Sequence, residues 1–205
     1  MAKFFKSTAF KCTAFLLILA VLLGGILAIL NDLLYVSPSE RTARAIEKIY
    51  GTQVQYETII DVDDTSIALD KQQKIVYDNV GEISKVYKVA NGDYLFKSTG
   101  YNGYKQGTIT LWITVKEIDE VYQIQKVILE EYKKQTLMSE LSSLYPQFEY
   151  VDLTEDYFNG TAFSPNEKDN PAQLTPVTGA TMSATAGANA VNAVVKYIGE
   201  VLENE

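Results

Sequence analysis

Residues 175 to 191 read TPVTGATMSATAGANAV and include five Thr or Ser, two Gly and five Ala residues. Apolar residues at helical spacing follow, so the hydroxyl-rich cluster stands at the start of a predicted helix. A helix N-terminus offers free N–H groups and the positive end of the helix dipole, which suit a phosphate or a phosphate ester made on a hydroxyl. The candidate residues for such a site are Thr178, Gly179, Ala180, Thr181 and Ser183.

The same cluster also fits a plain helix cap. Thr181 or Ser183 would then accept hydrogen bonds from the N–H groups of the first turn. Gly179 would supply an unusual backbone angle. Spacing alone leaves both interpretations open.

Composition excludes several other kinds of chemistry. The chain has no histidine and one cysteine, Cys12. It therefore cannot build a Ser-His-Asp triad, a zinc site of the usual Cys/His type, a CxxC redox pair or an internal disulfide. We expect any redox work by this chain to depend on a cofactor.

The segment TGATMS, 178 to 183, resembles the S(T)GAT motif of FMN-binding domains. These domains occur in the G subunit of the Rnf complex and in the C subunit of the sodium-pumping NADH:quinone reductase. Further similarities are the GYNG element at 100 to 103, a long strand after it, and a final Ala/Val-rich helix opened by the motif. The length is closer to that of the Rnf G subunit.

The resemblance implies that Thr181 carries FMN through a phosphodiester, attached by a separate magnesium-dependent flavin transferase. Thr178, Gly179, Ala180 and Ser183 would shape the phosphate site. Residues 129 to 141 correspond to the family's ring-covering loop, which adds Thr136 and Leu137 to the cofactor-binding residues. It also implies an electron-transfer subunit with other membrane subunits as partners, and no catalytic acid or base of its own.

An alternative from another class is an anchored exterior binding or scaffold module that keeps the fold without the flavin. Two departures from the family pattern favour it. Thr175 stands where the family usually has Asp, and residues 129 to 141 lack the family's His, Pro and Gly residues.

An apolar run of 19 residues without a charge, 12 to 30, is long enough to cross a bilayer as a helix. Lys3, Lys6 and Lys11 precede it, which predicts a cytoplasmic N-terminus and an extracytoplasmic main domain. A cleaved signal peptide is the alternative. Only three of the 18 Lys and Arg and one of the 26 Asp and Glu precede residue 37, so the rest carries a net charge of −10. Such an acidic part is not expected to bind nucleic acid.

The remaining patterns predict an α+β fold, an antiparallel sheet with helices packed on it, preceded by one N-terminal transmembrane helix. Predicted helices cover 37–51, 133–145 and 183–203; predicted strands lie within 53–62, 74–80, 83–101, 107–116 and 121–132; 152–174 is a predicted loop. The expected organisation is a cytoplasmic N-terminus at 1–11, an anchor at 12–36, a membrane-proximal helix and strands at 37–94, and an FMN-binding domain at 95–205.

Three other features have competing explanations. DVDD at 61 to 64 has incomplete spacing for a cation site, which favours a solvated turn. Glu130 and Glu131 are neighbours in a strand and point to opposite faces, which argues against a general acid/base pair. Trp112 can contact a cofactor ring or simply pack within the sheet.

Overall fold

The computed structural model describes residues 8–34, 36–160, 162–166, 170, 172–175, 177 and 179–203. Thr178, which is one of the candidate phosphate-site residues, lies outside the described residues. The chain divides between residues 49 and 50 into two units.

The first unit contains two helices. Helix α1, Thr8–Leu34, includes one stretch, Lys11–Leu30, that is long and apolar enough to cross a membrane. Its described side chains between 11 and 30 are nearly all exposed, as expected for a segment whose apolar surface faces lipid.

Helix α2, Pro38–Tyr50, agrees with the helix predicted at 37–51. The Ser37 hydroxyl accepts a hydrogen bond from the Glu40 N–H at 3.2 Å, so Ser37 caps the helix as its position suggests. Glu40 also pairs with Arg44 one turn later at 2.7 Å.

The second unit is built on one seven-stranded antiparallel sheet in the order β1-β3-β4-β5-β6-β7, with β2 also paired to β3. The strands are β1 Tyr56–Asp61, β2 Ile75–Tyr77, β3 Gly81–Val89, β4 Asp93–Gly100, β5 Thr108–Ile118, β6 Val121–Lys133 and β7 Asp152–Leu153. This sheet and its helices confirm the predicted α+β class.

Two tight turns set the register of the central strands. In the turn after β3, Gly92 has a φ of +91°. Between β5 and β6 the two-residue turn Asp119–Glu120 has φ values of 51° and 66°, the backbone that a two-residue hairpin loop of type I′ requires. The strands of both hairpins overlap the segments predicted at 83–101, 107–116 and 121–132.

Helix α4, Thr181–Tyr197, packs on β3, β4 and β5 and continues into a π-helical turn, Ile198–Leu202. Its small residues allow a close approach to the sheet. A Cβ at Gly100 would lie 1.9 Å from the Ala186 carbonyl oxygen and 2.3 Å from the Ala190 nitrogen, so β4 has room for no side chain there. The buried core between helix and sheet includes Phe96, Leu111, Ile113, Val191 and Val194.

The helix predicted at 133–145 is wrong. Lys133 ends β6, and the following segment forms two short 3₁₀ turns, Glu140–Ser143 and Tyr145–Gln147. Lys134 and Leu137 have φ values of 56° and 57°, which an α-helix cannot contain. Leu141 and Leu144 are nevertheless fully buried, so the apolar spacing reflects core packing rather than an α-helix.

Two other boundaries differ from the expectation. The division expected between residues 94 and 95 falls inside β4, because residues on both sides belong to the same sheet. The segment predicted as a loop at 152–174 contains β7 and a short helix α3, Glu155–Phe158.

Candidate functional site

No side chain among the described residues caps the first turn of α4. Ala180 precedes the helix and Thr181 is its first residue. Gly179 has a φ of +78°, a conformation that L side chains rarely adopt. The predicted capping by Thr181 or Ser183 is wrong, because neither hydroxyl accepts a hydrogen bond from the described part of the first turn.

Ser183 faces the interior. It is 2% exposed, and its hydroxyl donates to Gln135 Oε1 at 2.8 Å. The Thr136 carbonyl oxygen lies 3.5 Å from the same hydroxyl. The structure therefore separates Ser183 from the exposed residues of the predicted phosphate site.

Gln135 is the residue that sequence reasoning missed. Its Oε1 accepts hydrogen bonds from the Tyr104 N–H at 3.1 Å and from the Ser183 hydroxyl, and its Nε2 donates to the Lys133 carbonyl at 2.9 Å. A glutamine is usually exposed, so a buried glutamine with three hydrogen-bond partners points to a specific structural role. Two of those partners, Tyr104 and Ser183, lie 31 and 48 residues away in the sequence. No local pattern identifies it.

Two glycines make room for that side chain. A Cβ at Gly103 would lie 2.5 Å from Gln135 Nε2, and a Cβ at Gly107 would lie 2.2 Å from it. The GYNG element therefore has a structural explanation at both ends, since Gly100 lies against α4 and Gly103 lies against Gln135.

Thr181 is half-buried and lies on the outward side of the turn. Its carbonyl accepts the Thr185 hydroxyl at 3.0 Å. Among the described residues, its own hydroxyl has no hydrogen-bond partner. The first N–H groups of any helix lack intrahelical partners, so this hydroxyl lies beside backbone donors and the positive end of the α4 dipole.

Exposed apolar side chains flank this turn. Met182 is 53% exposed and Leu137 is 50% exposed. Leu137 Cδ1 lies 3.4 Å from the position that a Cβ on Gly179 would occupy. Thr136 is exposed next to Leu137. The structure thus brings together two predicted parts of the site, residues 136–137 and 179–182, from places more than 40 positions apart in the sequence.

The DVDD segment bonds to a lysine. Lys85 Nζ lies 2.8 Å from Asp61 Oδ1 and 2.9 Å from Asp63 Oδ2, and the Tyr87 hydroxyl donates to Asp61 Oδ2. Burial raises the pKa of the Asp61 carboxyl, but the hydrogen bonds from Lys85 and Tyr87 outweigh it and hold the pKa below its usual value. Asp61 and Lys85 thus form a buried ion pair that joins β1 to β3, and the exposed Asp63 carboxylate adds a second contact to the lysine.

The other candidates lie in the sheet. Glu130 lies 3.6 Å from Lys97, and Glu131 lies 3.5 Å from Lys133, so the two carboxylates have different partners. Trp112 is buried and stacks on Tyr87 with ring centroids 6.5 Å apart. Its position fits packing within the sheet, since Tyr87 stacks on its ring and Lys97 Nζ lies 5.5 Å from its ring centroid.

At the start of α4, the Thr181 hydroxyl has no hydrogen-bond partner among the residues that the structure describes. The residue two positions before it has no side chain, and the exposed Met182 and Leu137 side chains flank the turn. Searches against protein-family models and against curated protein sequences give no match to this chain.

Proposed function

We propose that this chain is a membrane-anchored, extracytoplasmic electron carrier that holds FMN covalently through Thr181 as a subunit of an Rnf-type electron transport complex. The observation that carries the proposal is that the Thr181 hydroxyl at the start of α4, beside the loop at 136–137, has no hydrogen-bond partner within the described part of the chain. The similarity of TGATMS to the flavin-attachment motif names the group that this hydroxyl would hold.

The residues of the first turn have separate roles in this proposal. Thr181 Oγ1 is the point of attachment. Gly179 leaves the approach to it open, and the N–H groups after Ala180 favour the negative charge of the phosphate. Leu137 and Met182 offer apolar surface to the rest of the nucleotide.

Attachment would exchange a phosphoanhydride bond for a phosphoester bond. Thr181 Oγ1 would bond to the FMN phosphorus of a flavin dinucleotide, the anhydride bond from that phosphorus to the phosphate of the leaving mononucleotide would break, and the hydroxyl proton would be released. The flavin, when bound, supplies the electron-accepting and electron-donating chemistry that the side chains of this chain lack. An ester link also retains the cofactor outside the cytoplasm, where a dissociated flavin would be lost by diffusion.

The proposed topology follows from α1. Its apolar stretch can cross a membrane, and the three lysines before residue 12 favour a cytoplasmic N-terminus. The second unit would then lie outside the cytoplasm. A single membrane helix provides no pathway for ions, so any ion transport would belong to the other subunits.

The intact mass of the full chain, produced together with a magnesium-dependent flavin transferase, tests the proposal. We expect an addition of about 438 Da, which is FMN less one water. Thr181→Ala should remove the addition. Thr185→Val is the matched control, because it removes a hydroxyl one turn later on the same helix and should leave the addition intact. An unmodified wild-type chain in the presence of active transferase would contradict the proposal.

A binding module without flavin is the second candidate, and one observation favours it. Thr175 replaces the acidic residue that is usual in the resembled family, and its backbone N–H is bonded to Gln147 Oε1 at 2.7 Å. In that case the wild type and Thr181→Ala would both have the unmodified mass and would associate equally with the same membrane partners.

A further inference from the structure

Gln135 ties three segments of the second unit to one another. Its side chain contacts the loop after the GYNG element through the Tyr104 N–H, the end of β6 through the Lys133 carbonyl, and the first turn of α4 through Ser183. All three contacts lie between 2.8 and 3.1 Å. The residue is 9% exposed, so these bonds are made out of contact with most solvent.

The bond to Ser183 fixes the rotation of the first turn of α4 about its axis. Successive residues in an α-helix are about 100° apart, so Thr181 and Ser183 project about 200° apart. When Gln135 holds Ser183 toward the interior, Thr181 is directed to the opposite side, where it is accessible. Packing of Ala186 and Ala190 against Gly100 fixes the rest of α4, so the Gln135–Ser183 bond acts where the helix begins, ahead of that packed region.

Gln135 also places the loop that borders Thr181. Two residues after it, Leu137 lies against Gly179. A single side chain therefore sets both the direction of Thr181 and the position of the apolar residue beside it.

We infer that Gln135 is a positioning residue for cofactor attachment, which orients Thr181 toward the flavin donor through its bond to Ser183. The inference rests on the proposed function. Gln135 touches neither the cofactor nor the reacting hydroxyl; it acts through the backbone of the first turn.

Asn192 provides a matched control on the same helix. It is also buried, and it makes two hydrogen bonds, accepting from the Phe163 N–H at 2.8 Å and donating to the Phe163 carbonyl at 3.0 Å. It lies eleven residues beyond Thr181, about 16 Å along the helix. Asn192→Ala thus removes comparable buried bonds without disturbing the first turn.

The experiment measures the initial rate of mass addition to full-length chains, using purified flavin transferase, magnesium and a flavin dinucleotide. We expect Gln135→Ala to slow attachment about tenfold or more, because small misplacements of a reacting group have large effects on rate. Asn192→Ala should stay within about twofold of the wild type. Equal rates in the two variants would overturn the inference.

A double-substitution cycle isolates the Gln135–Ser183 bond. If the two residues act through their mutual bond, Ser183→Ala should slow attachment, and Gln135→Ala combined with Ser183→Ala should be no slower than Gln135→Ala alone. If the rate losses of the two single variants multiply in the double variant, Gln135 and Ser183 act independently. That result would contradict positioning through their mutual hydrogen bond.

Hydrogen exchange provides a readout that does not require the cofactor. The amides of residues 181–184 should exchange about tenfold faster in Gln135→Ala than in Asn192→Ala, because only the first variant frees the first turn. Unchanged exchange there would overturn the inference even where the wild type accepts flavin. A wild type that accepts no flavin but shows the exchange difference would instead refute the proposed function while supporting the positioning of the turn.

Discussion

The Asp61–Lys85–Tyr87 cluster and the first turn of α4 are both polar regions of the same unit, but their polar groups differ in their partners. In the cluster, Asp61 is 2% exposed and bonds to Lys85, to Tyr87 and to the Asp63 N–H. In the first turn of α4, Ser183 is bonded to Gln135, while the Thr181 hydroxyl has no partner among the described residues.

The polar groups of the cluster stabilise the fold, whereas the Thr181 hydroxyl remains available to bond a group from outside the chain. Charged groups that leave water must find partners, and Lys85 with its two aspartates does so between neighbouring strands. The Thr181 hydroxyl, which has no partner among the described residues, lies beside helix N–H groups. A capping side chain would have accepted hydrogen bonds from those N–H groups. We therefore expect substitutions in the cluster to alter stability, and substitutions in the first turn to alter cofactor attachment.

Lys85→Met should have the largest effect on stability. It leaves Asp61 buried without its cation, which costs about 3–5 kcal/mol in the free energy of unfolding. Lys74→Met is the control, since the Lys74–Glu82 pair at 2.7 Å is partly exposed and is worth at most about 1 kcal/mol. Chemical denaturation of the two variants checks the contrast, and similar losses would mean that the cluster is not a structural ion pair.

Acid should weaken the same cluster. The pKa of Asp61 in the folded state lies below its ordinary value of 3.8, so its contribution is present above about pH 4 and is lost as pH falls below that value. The free energy of unfolding should therefore decline in this range. In Asp61→Asn the decline should be smaller, and an unchanged pH profile would show that Asp61 is not the group responsible.

Gly179→Ala should have a moderate effect on both stability and flavin attachment. A side chain at φ +78° costs about 1 kcal/mol and also meets Leu137 at 3.4 Å. Gly92→Ala is matched, because Gly92 has a φ of +91° with no atom near its missing Cβ. Both variants should lose similar stability, but only Gly179→Ala should take up less flavin. A parallel loss of flavin in Gly92→Ala would make the effect one of general destabilisation.

Thr181→Ala should have the smallest effect on folding. The residue is half-buried and its hydroxyl has no described partner, so the free energy of unfolding of the cofactor-free chain should change by less than about 0.5 kcal/mol. Thermal or chemical denaturation checks this. A larger loss would show that the hydroxyl has a structural role after all.

Local patterns predicted much of the sheet. The segments predicted as strands at 83–101, 107–116 and 121–132 contain most of β3, β4, β5 and β6, because apolar residues alternate along them. The apolar stripe after residue 183 predicted the body of α4 because one side of that helix covers the sheet.

Contacts between distant residues explain what the sequence did not predict. Leu137, Leu141 and Leu144 have helical spacing, yet the segment follows β6 into a loop in which Gln135 bonds to Tyr104 and Ser183. The hydrogen bond between Gln135 and Ser183 directs Ser183 inward, so Ser183 does not cap α4 as predicted. Of the residues placed at the site by resemblance, Leu137 lies beside Gly179 and the Thr136 carbonyl oxygen lies 3.5 Å from the Ser183 hydroxyl, although the segment is not the helix that was expected.

The most direct test of the central claim is to locate the modification in the tryptic peptide of residues 169–196, which contains Thr175, Thr178, Thr181, Ser183 and Thr185. The peptide should come from full-length protein produced with an active flavin transferase. Fragment ions should place an addition of about 438 Da on Thr181 and on no other residue. An unmodified peptide, or an addition on a different hydroxyl, would contradict it.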